Sequence, residues 1–431
     1  MQKWKNALAV ICFIALFVAC GSFLRYILVD DSSSYTRVMM HEMYEQEENI
    51  DILFVGSSHC YRSLDPRITD EMFGANTFNV GTSSQQIDGS LALLREVAKT
   101  NDLDQVYLEV YYEISQMPAF EERTDMVSTY IVSDYMRPSF HKLGYLLNAS
   151  SKEHYSNSFI LARRNWDKMF EPGYVDSVLK AKDAEWYKEY AYPFSEFERY
   201  EGKGYVAVNQ VGNTYALEHF TPIETATVSE DYINTLQEII DFCEKEEIKL
   251  TLFSTPMPEF RLVDVGNYDS YIQFMNGLLE GTEVEYYDFN LCKGEYLSFD
   301  EDDYADTDHI NAKGAEAFSQ LFAEFFTGQI PEEDLFYDSY AERLQAQEED
   351  VYGVIAEYQE DGSCTLAPVT NGNEEDITYT INWLPESGEA VVLQEQDANP
   401  TFTLPEGVNG SVEIIFYMDE TEVHRVTMPR M

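Results

Sequence analysis

The sequence predicts a three-layer α/β/α fold with a parallel sheet, followed by a small C-terminal β-sandwich. Between about residues 48 and 328, short apolar runs ending in Gly- or Ser-rich turns alternate with amphipathic helical segments. That rhythm belongs to parallel strands joined by helical crossovers. From about residue 350 the texture changes to short strand patterns separated by Gly-containing turns, which reads as a sandwich over 350–431.

The first element is an export segment. Lys3 and Lys5 precede the apolar stretch Ala7 to Leu24, whose helix would reach about 27 Å at about 1.5 Å per residue. A bilayer core is roughly 30 Å thick. Arg25 follows, then Tyr26-Ile27-Leu28-Val29, and Asp30-Asp31 ends the run. The basic flank predicts a cytoplasmic N-terminus, a single-pass anchor over 1–29 that meets the membrane through 7–29, and an extracytoplasmic main domain. Phe17-Val18-Ala19-Cys20-Gly21-Ser22 also looks like an imperfect lipobox that would place a lipid on Cys20, and a cleaved signal peptide is a third reading. All three export the domain. The apolar character past Cys20, up to Val29, favours the uncleaved anchor.

Residues 30–48 read as a helical lead-in. Ile50–Val55 is a short, buried strand ended by Gly56-Ser57-Ser58-His59. Asn76–Val80 is a second strand, ended by Gly81. Ile87–Ala98 has helical spacing, and Val106–Val110 is a third strand. Residues 115–225 interrupt the alternation with an aromatic, mostly helical insertion: Tyr130, Tyr135, Tyr145, Tyr155, Trp166, Trp186 and Tyr187 fall here. It is either a cap with its own small core or an aromatic groove for sugar rings. The rhythm resumes with a helix over Tyr232–Glu246, a strand over Ile248–Ser254, a helix over Tyr271–Leu279 and a strand over Val284–Asp288. Asn311 can cap a helix over Ala312–Phe326. Residues 329–349 read as an acidic linker. In parallel sheets, sites form beyond the C-terminal strand ends, where Ser58 and Gly81 both fall.

Composition narrows the partners. The 431 residues carry 28 basic and 78 acidic side chains, a formal charge of −50. Such a surface repels nucleic-acid phosphates, which need Lys and Arg to displace their counterions. It otherwise favours solubility. The six cysteines show no CxxC pairing and no histidines at zinc spacing, so neither a metal site, a cofactor nor a disulfide framework is expected.

The chemistry rests on two distant motifs. A serine hydroxyl is a poor nucleophile until a base takes its proton. Of seven histidines, only His309 has a carboxylate at i−3 just before a capped helix. Asp306 could accept the Nδ1 proton of His309 and fix its tautomer; the adjacent Asp308 is the weaker alternative. Taken alone, Asp306-Thr307-Asp308 is an acidic loop and Gly56-Ser57-Ser58 an ordinary turn. His59 reads as a structural or substrate-side residue, and Cys60 as buried packing.

Together, Gly56-Ser57-Ser58, Asn79-Val80-Gly81 and Asp306-Thr307-Asp308-His309, in this order, resemble the blocks of the SGNH/GDSL hydrolase superfamily, over about residues 48–328. The resemblance implies an SGNH/flavodoxin-like sheet, Ser58 as nucleophile, His309 as base and Asp306 as its orienter. It also implies the N–H groups of Ser58 and Gly81 as the oxyanion hole. Ser57 stands where the family has Asp, and Tyr111-Tyr112-Glu113 stands where it has Gly-x-Asn-Asp. Loss of one oxyanion donor costs about 10²–10³ in rate. The layout is similar to the membrane-anchored D-alanyl transfer and alginate O-acetylation proteins, which implies a serine esterase or O-acyltransferase. Its expected partners are an acylated glycan or cell-wall polymer and a membrane-bound O-acyltransferase. The alternative is a non-catalytic glycan-binding or assembly protein on a decayed fold.

Overall fold

The computed structural model of the chain describes residues 2–116, 119–193, 195–359, 361–405 and 409–429. Strands β1 (Ile52–Val55), β2 (Thr77–Asn79) and β3 (Gln105–Glu109) open the chain's main sheet. Strands β4 (Glu198–Gly202), β5 (Tyr205–Val208) and β6 (Tyr215–Ala216) belong to the insertion. Strands β7 (Lys249–Ser254) and β8 (Glu285–Asp288) then complete the main sheet. Its order is β2-β1-β3-β7-β8, parallel throughout. The strand order reverses at β1, which places the C-terminal ends of β1 and β3 at a topological switch point.

Alternation along each strand builds the two faces. Leu53, Val55, Val106 and Leu108 face one core, against the helices Ile87–Val97 and Glu230–Lys245. Ile52, Phe54, Tyr107 and Phe253 face the other, against Phe318 and Phe322 of the helix Ala312–Phe326. Phe54 and Phe322 are fully buried, and each contributes roughly 1.5–3 kcal/mol. The three layers follow as expected.

The C-terminal region holds β9 (Val351–Tyr358), β10 (Ser363–Thr370), β11 (Ile377–Pro385), β12 (Val391–Asp397), β13 (Thr401–Thr403), β14 (Gly410–Met418) and β15 (Thr421–Pro429). They form two sheets, β13-β10-β9-β6 and β12-β11-β14-β15, around Ile381, Trp383, Ile414 and Phe416. The insertion thus lends one strand to this region: β6 pairs in parallel with β9, Tyr215 opposite Val354. The acidic segment 329–349 is fastened down rather than solvated. Leu335 and Tyr340 are buried, and Arg343 and Tyr340 both bond Glu259.

The N-terminal helix runs Gln2–Leu28. Its Trp4–Leu28 stretch has a mean hydropathy of 2.7 and no buried side chains in its most apolar window, long and apolar enough to cross a membrane. The insertion contains the helices Val127–Ser133, Phe140–Ala149, Tyr155–Phe159, Tyr174–Asp183 and Glu185–Lys188. The strands β4, β5, β6 and β15 have no counterpart in the sequence expectation. β6, two residues long, exists only through its pairing with β9, and β15 has a mixed polar and apolar pattern.

Candidate active site

Ser57 N-caps the short helix Ser58–Ser63, its hydroxyl oxygen accepting the N–H of His59. This turn throws Ser58, half-buried, out beyond the end of β1 while Ser57 and His59 stay inside. Ser58 Oγ lies 2.8 Å from His309 Nε2. On the far side of the ring, His309 Nδ1 lies 2.8 and 3.0 Å from the two oxygens of Asp306. In the tautomer that satisfies both contacts, Nδ1–H donates to Asp306 and Nε2 accepts from the serine. The structure therefore brings the serine, the histidine and the aspartate together across 251 residues of sequence.

Asp306 is held by its own turn. Its Oδ1 accepts the backbone N–H groups of Asp308 and His309, each at 2.9 Å. Burial opposes its ionisation. The hydrogen bonds and charge attraction from His309, with the two backbone donors, outweigh burial and hold the carboxyl well below the usual carboxylate range. Arg62, from the serine's helix, lies 3.3 Å from Asp306 Oδ2 and 3.8 Å from Glu198 on β4. Asp308 turns away to pair with Arg261 at 3.1 Å.

Beneath the serine sits a buried carboxyl. Glu109 ends β3, is 5% exposed, and its Oε2 accepts from the Ser57 N–H at 2.6 Å and the Ser57 hydroxyl at 2.8 Å. Burial pushes its pKa up to about 7, although the two bonds from Ser57 pull the other way. A Cβ at Gly56 would lie 2.5 Å from Glu109 Oε2, so only glycine admits this carboxyl under the turn. Ser57 thus has a clear task in the family's Asp position: it bridges helix cap and carboxyl.

His59 is buried and stacks between Tyr111 and His309, with ring centroids 3.7 and 4.3 Å away. Burial, and then the charge of His309, hold its pKa well below the ordinary value. Tyr111 stands where an amide donor would be expected and supplies a ring instead. Its hydroxyl donates to Glu113 at 3.3 Å.

The expected oxyanion hole needs one correction. The N–H of Gly81 donates to Asn79 Oδ1 at 2.9 Å and is buried, so in this structure it does not face the serine. Gly81 is needed for close approach, since a Cβ there would meet the Ser57 carbonyl at 2.9 Å. Asn79 also donates to the carbonyls of Cys60 and Leu64, which clamps β2 to the serine's helix. The Ser58 N–H has no acceptor among the described residues. Glu109, Asn79 and the stacking role of His59 escaped the sequence reading. A charged residue closing the apolar strand of β3 was the one available signal.

The insertion aromatics named from sequence make no hydrogen bond or ring contact with Ser58, His309 or Asp306 among the described residues. A cleft of about 560 Å³ lies behind Asp306, between the main sheet's loops and the C-terminal sheets, bordered by Phe260, Tyr337, Arg343 and His424. Neither Ser58 nor His309 lines it. No group of three or more metal-ligating side chains occurs among the described residues.

No family model and no curated protein matches the chain. Among solved structures, one described as "a putative platelet activating factor from Streptococcus pneumonia" aligns at TM-score 0.31 and 12% identity, over 72% of this chain and 98% of that one. Two structures of a Cellulomonas fimi endo-beta-1,4-mannanase align at TM-score 0.16 and 10% identity, over 93% and 94% of this chain and 98% of each of those. Likenesses this slight carry no weight, and the case for function stands on the geometry of Ser58, His309 and Asp306.

Proposed function

We propose that the chain is an exported, membrane-anchored serine esterase or O-acyltransferase of SGNH type, acting on acyl esters of cell-wall or secreted glycans. The observation that carries this reading is the continuous hydrogen-bonded line from Ser58 Oγ through His309 to Asp306, with 2.8 Å at each contact. Ser58 attacks the ester carbonyl and its proton passes to His309 Nε2. Asp306 stabilises the imidazolium without taking the proton. His309 then protonates the departing alkoxide, leaving an acyl group on Ser58. A water or a glycan hydroxyl, deprotonated by His309, releases it. The Ser58 N–H is the available oxyanion donor. A second donor would have to come from rearrangement at Gly81 or from the substrate itself, which favours slow acyl transfer over fast hydrolysis. A membrane-bound O-acyltransferase is the proposed donor of the acyl group.

A fluorophosphonate probe should label Ser58, and Ser58→Ala should remove both labelling and hydrolysis of a simple acetyl ester, a loss on the order of 10⁶ in kcat for a serine of this role. Ester turnover that survives Ser58→Ala would overturn the assignment. Absence of labelling and turnover in the intact chain would favour the non-catalytic glycan-binding reading, which the engaged Gly81 N–H supports.

A further inference from the structure

The insertion carries a feature that catalysis does not use. Its residues 140–170 hold seven of the sixteen large apolar side chains exposed outside the N-terminal helix, among the described residues. Phe140, Leu143 and Leu147 recur at helical spacing on one face of the helix Phe140–Ala149, and Phe140 is 91% exposed. The opposite face buries Tyr145, Leu146 and Ala149. Further along, Phe159, Trp166 and Phe170 are exposed, Phe170 at 75%. An apolar patch of this kind on a surface calls for a partner.

Charge says which partner. The chain as a whole is at −50, yet residues 140–170 carry five basic side chains (Lys142, Lys152, Arg163, Arg164 and Lys168) against Glu153 and Asp167. Lys152, Arg163 and Lys168 are exposed. Bulky apolar groups interleaved with basic ones match the boundary between acyl chains and anionic headgroups.

Position says where. The same insertion grips the exit of the N-terminal helix. Arg25 donates to the Asp134 carbonyl at 3.1 Å, and Tyr174 donates to the Leu28 carbonyl at 2.9 Å. Just beyond, Asp31 forms a buried pair with Lys182 at 3.0 Å and accepts from Tyr187 at 3.0 Å. The helix packs against Tyr174–Asp183 and the turn Leu161–Asn165, the latter inside the patch.

We infer that residues 140–170 lie in the headgroup layer of the bilayer crossed by the N-terminal helix, so that the catalytic domain is docked on an anionic lipid surface rather than swinging on a tether. This rests on the proposed membrane anchor. Docking holds Ser58 at a fixed height and orientation, which suits acyl transfer from a membrane-embedded donor.

The test uses the full chain in nanodiscs of mixed anionic and neutral lipid. Bimane is attached at Phe140→Cys or Phe170→Cys in a background with Cys12→Ser and Cys20→Ser, and brominated lipids serve as quenchers. Val391→Cys, exposed on the C-terminal sheets, is the dry control, and the native Cys12 in the unsubstituted chain reports the anchor. Both patch labels should be quenched, at a depth of roughly 5–10 Å below the headgroup surface, while the control is not. Replacing the anionic lipid by neutral lipid should weaken the quenching. Quenching at Cys12 with none at the patch would overturn the docking while leaving the anchor intact. No quenching at Cys12 would remove the anchor and the docking together. Cross-linking of patch labels between chains, without lipid quenching, would assign the patch to a second copy and also overturn the inference.

Discussion

The two walls of the site are built by opposite means. The serine wall is held by contacts distant in sequence and closed to solvent: Ser57 and Glu109 are 52 residues apart and Asn79 is fully buried. The acid–base wall is held by its own turn, with Asp306 bonding the N–H groups two and three residues ahead. The Asp306 side chain is 42% exposed. Burial fixes one wall and local geometry fixes the other. The serine wall should therefore respond to pH and to packing, and the acid–base wall to the loss of individual polar atoms.

The largest expected effect falls on the local wall. Asp306→Asn keeps the shape of the turn but presents an amide donor to His309, which stabilises the wrong tautomer. A loss of up to about 10⁴ in kcat is expected, with little change in KM. Thermal unfolding should shift only slightly, because the side chain is substantially exposed. A large drop in melting temperature with normal turnover would mean that Asp306 serves the fold alone.

The serine wall is tested at Glu109. The raised pKa of about 7 exceeds the usual value of about 4.3 in an unfolded chain, so the folded state holds its proton where the unfolded state has lost it. Between these values the native form binds more protons, and stability falls as pH rises. The total is on the order of 3 kcal/mol, present in full below about pH 4 and lost by about pH 7. Glu109→Gln keeps an oxygen for the Ser57 N–H and cannot ionise. It should equal the parent near pH 4 and exceed it in denaturant midpoint at pH 8. Identical pH profiles for the two proteins would show that Glu109 is ionised in the native state at all pH values tested.

This contrast also explains what was legible in the sequence. Asp306-x-x-His309 and the Asn311 cap could be read because their partners lie within a few residues; Asn311 Oδ1 does accept the N–H groups of Lys313 and Gly314. The five parallel strands were legible because apolar runs stop at turn residues. Glu109 was not, since its role depends on β1 and β3 lying side by side, Val55 opposite Leu108. Gly81 was located correctly beyond β2, but the destination of its N–H depends on the Asn79 rotamer, which no pattern of residues encodes. The hairpin β4–β5 was hidden within an aromatic stretch whose composition suits helices and strands alike.

The smallest effect separates the two walls where they touch. His59 belongs to the serine wall by sequence but lies flat against His309. Its depressed pKa keeps it uncharged beside the base, so it contributes a ring face rather than a proton. Aromatic pairs of this kind are worth about 0.5–1.5 kcal/mol, which corresponds to at most about tenfold in rate. His59→Ala should therefore lower kcat by roughly that factor, and His59→Phe, which restores the stack between Tyr111 and His309, should recover most of it. If the phenylalanine variant is as slow as the alanine one, a ring nitrogen of His59 is in use. The serine wall would then supply a polar group to the substrate as well as the nucleophile.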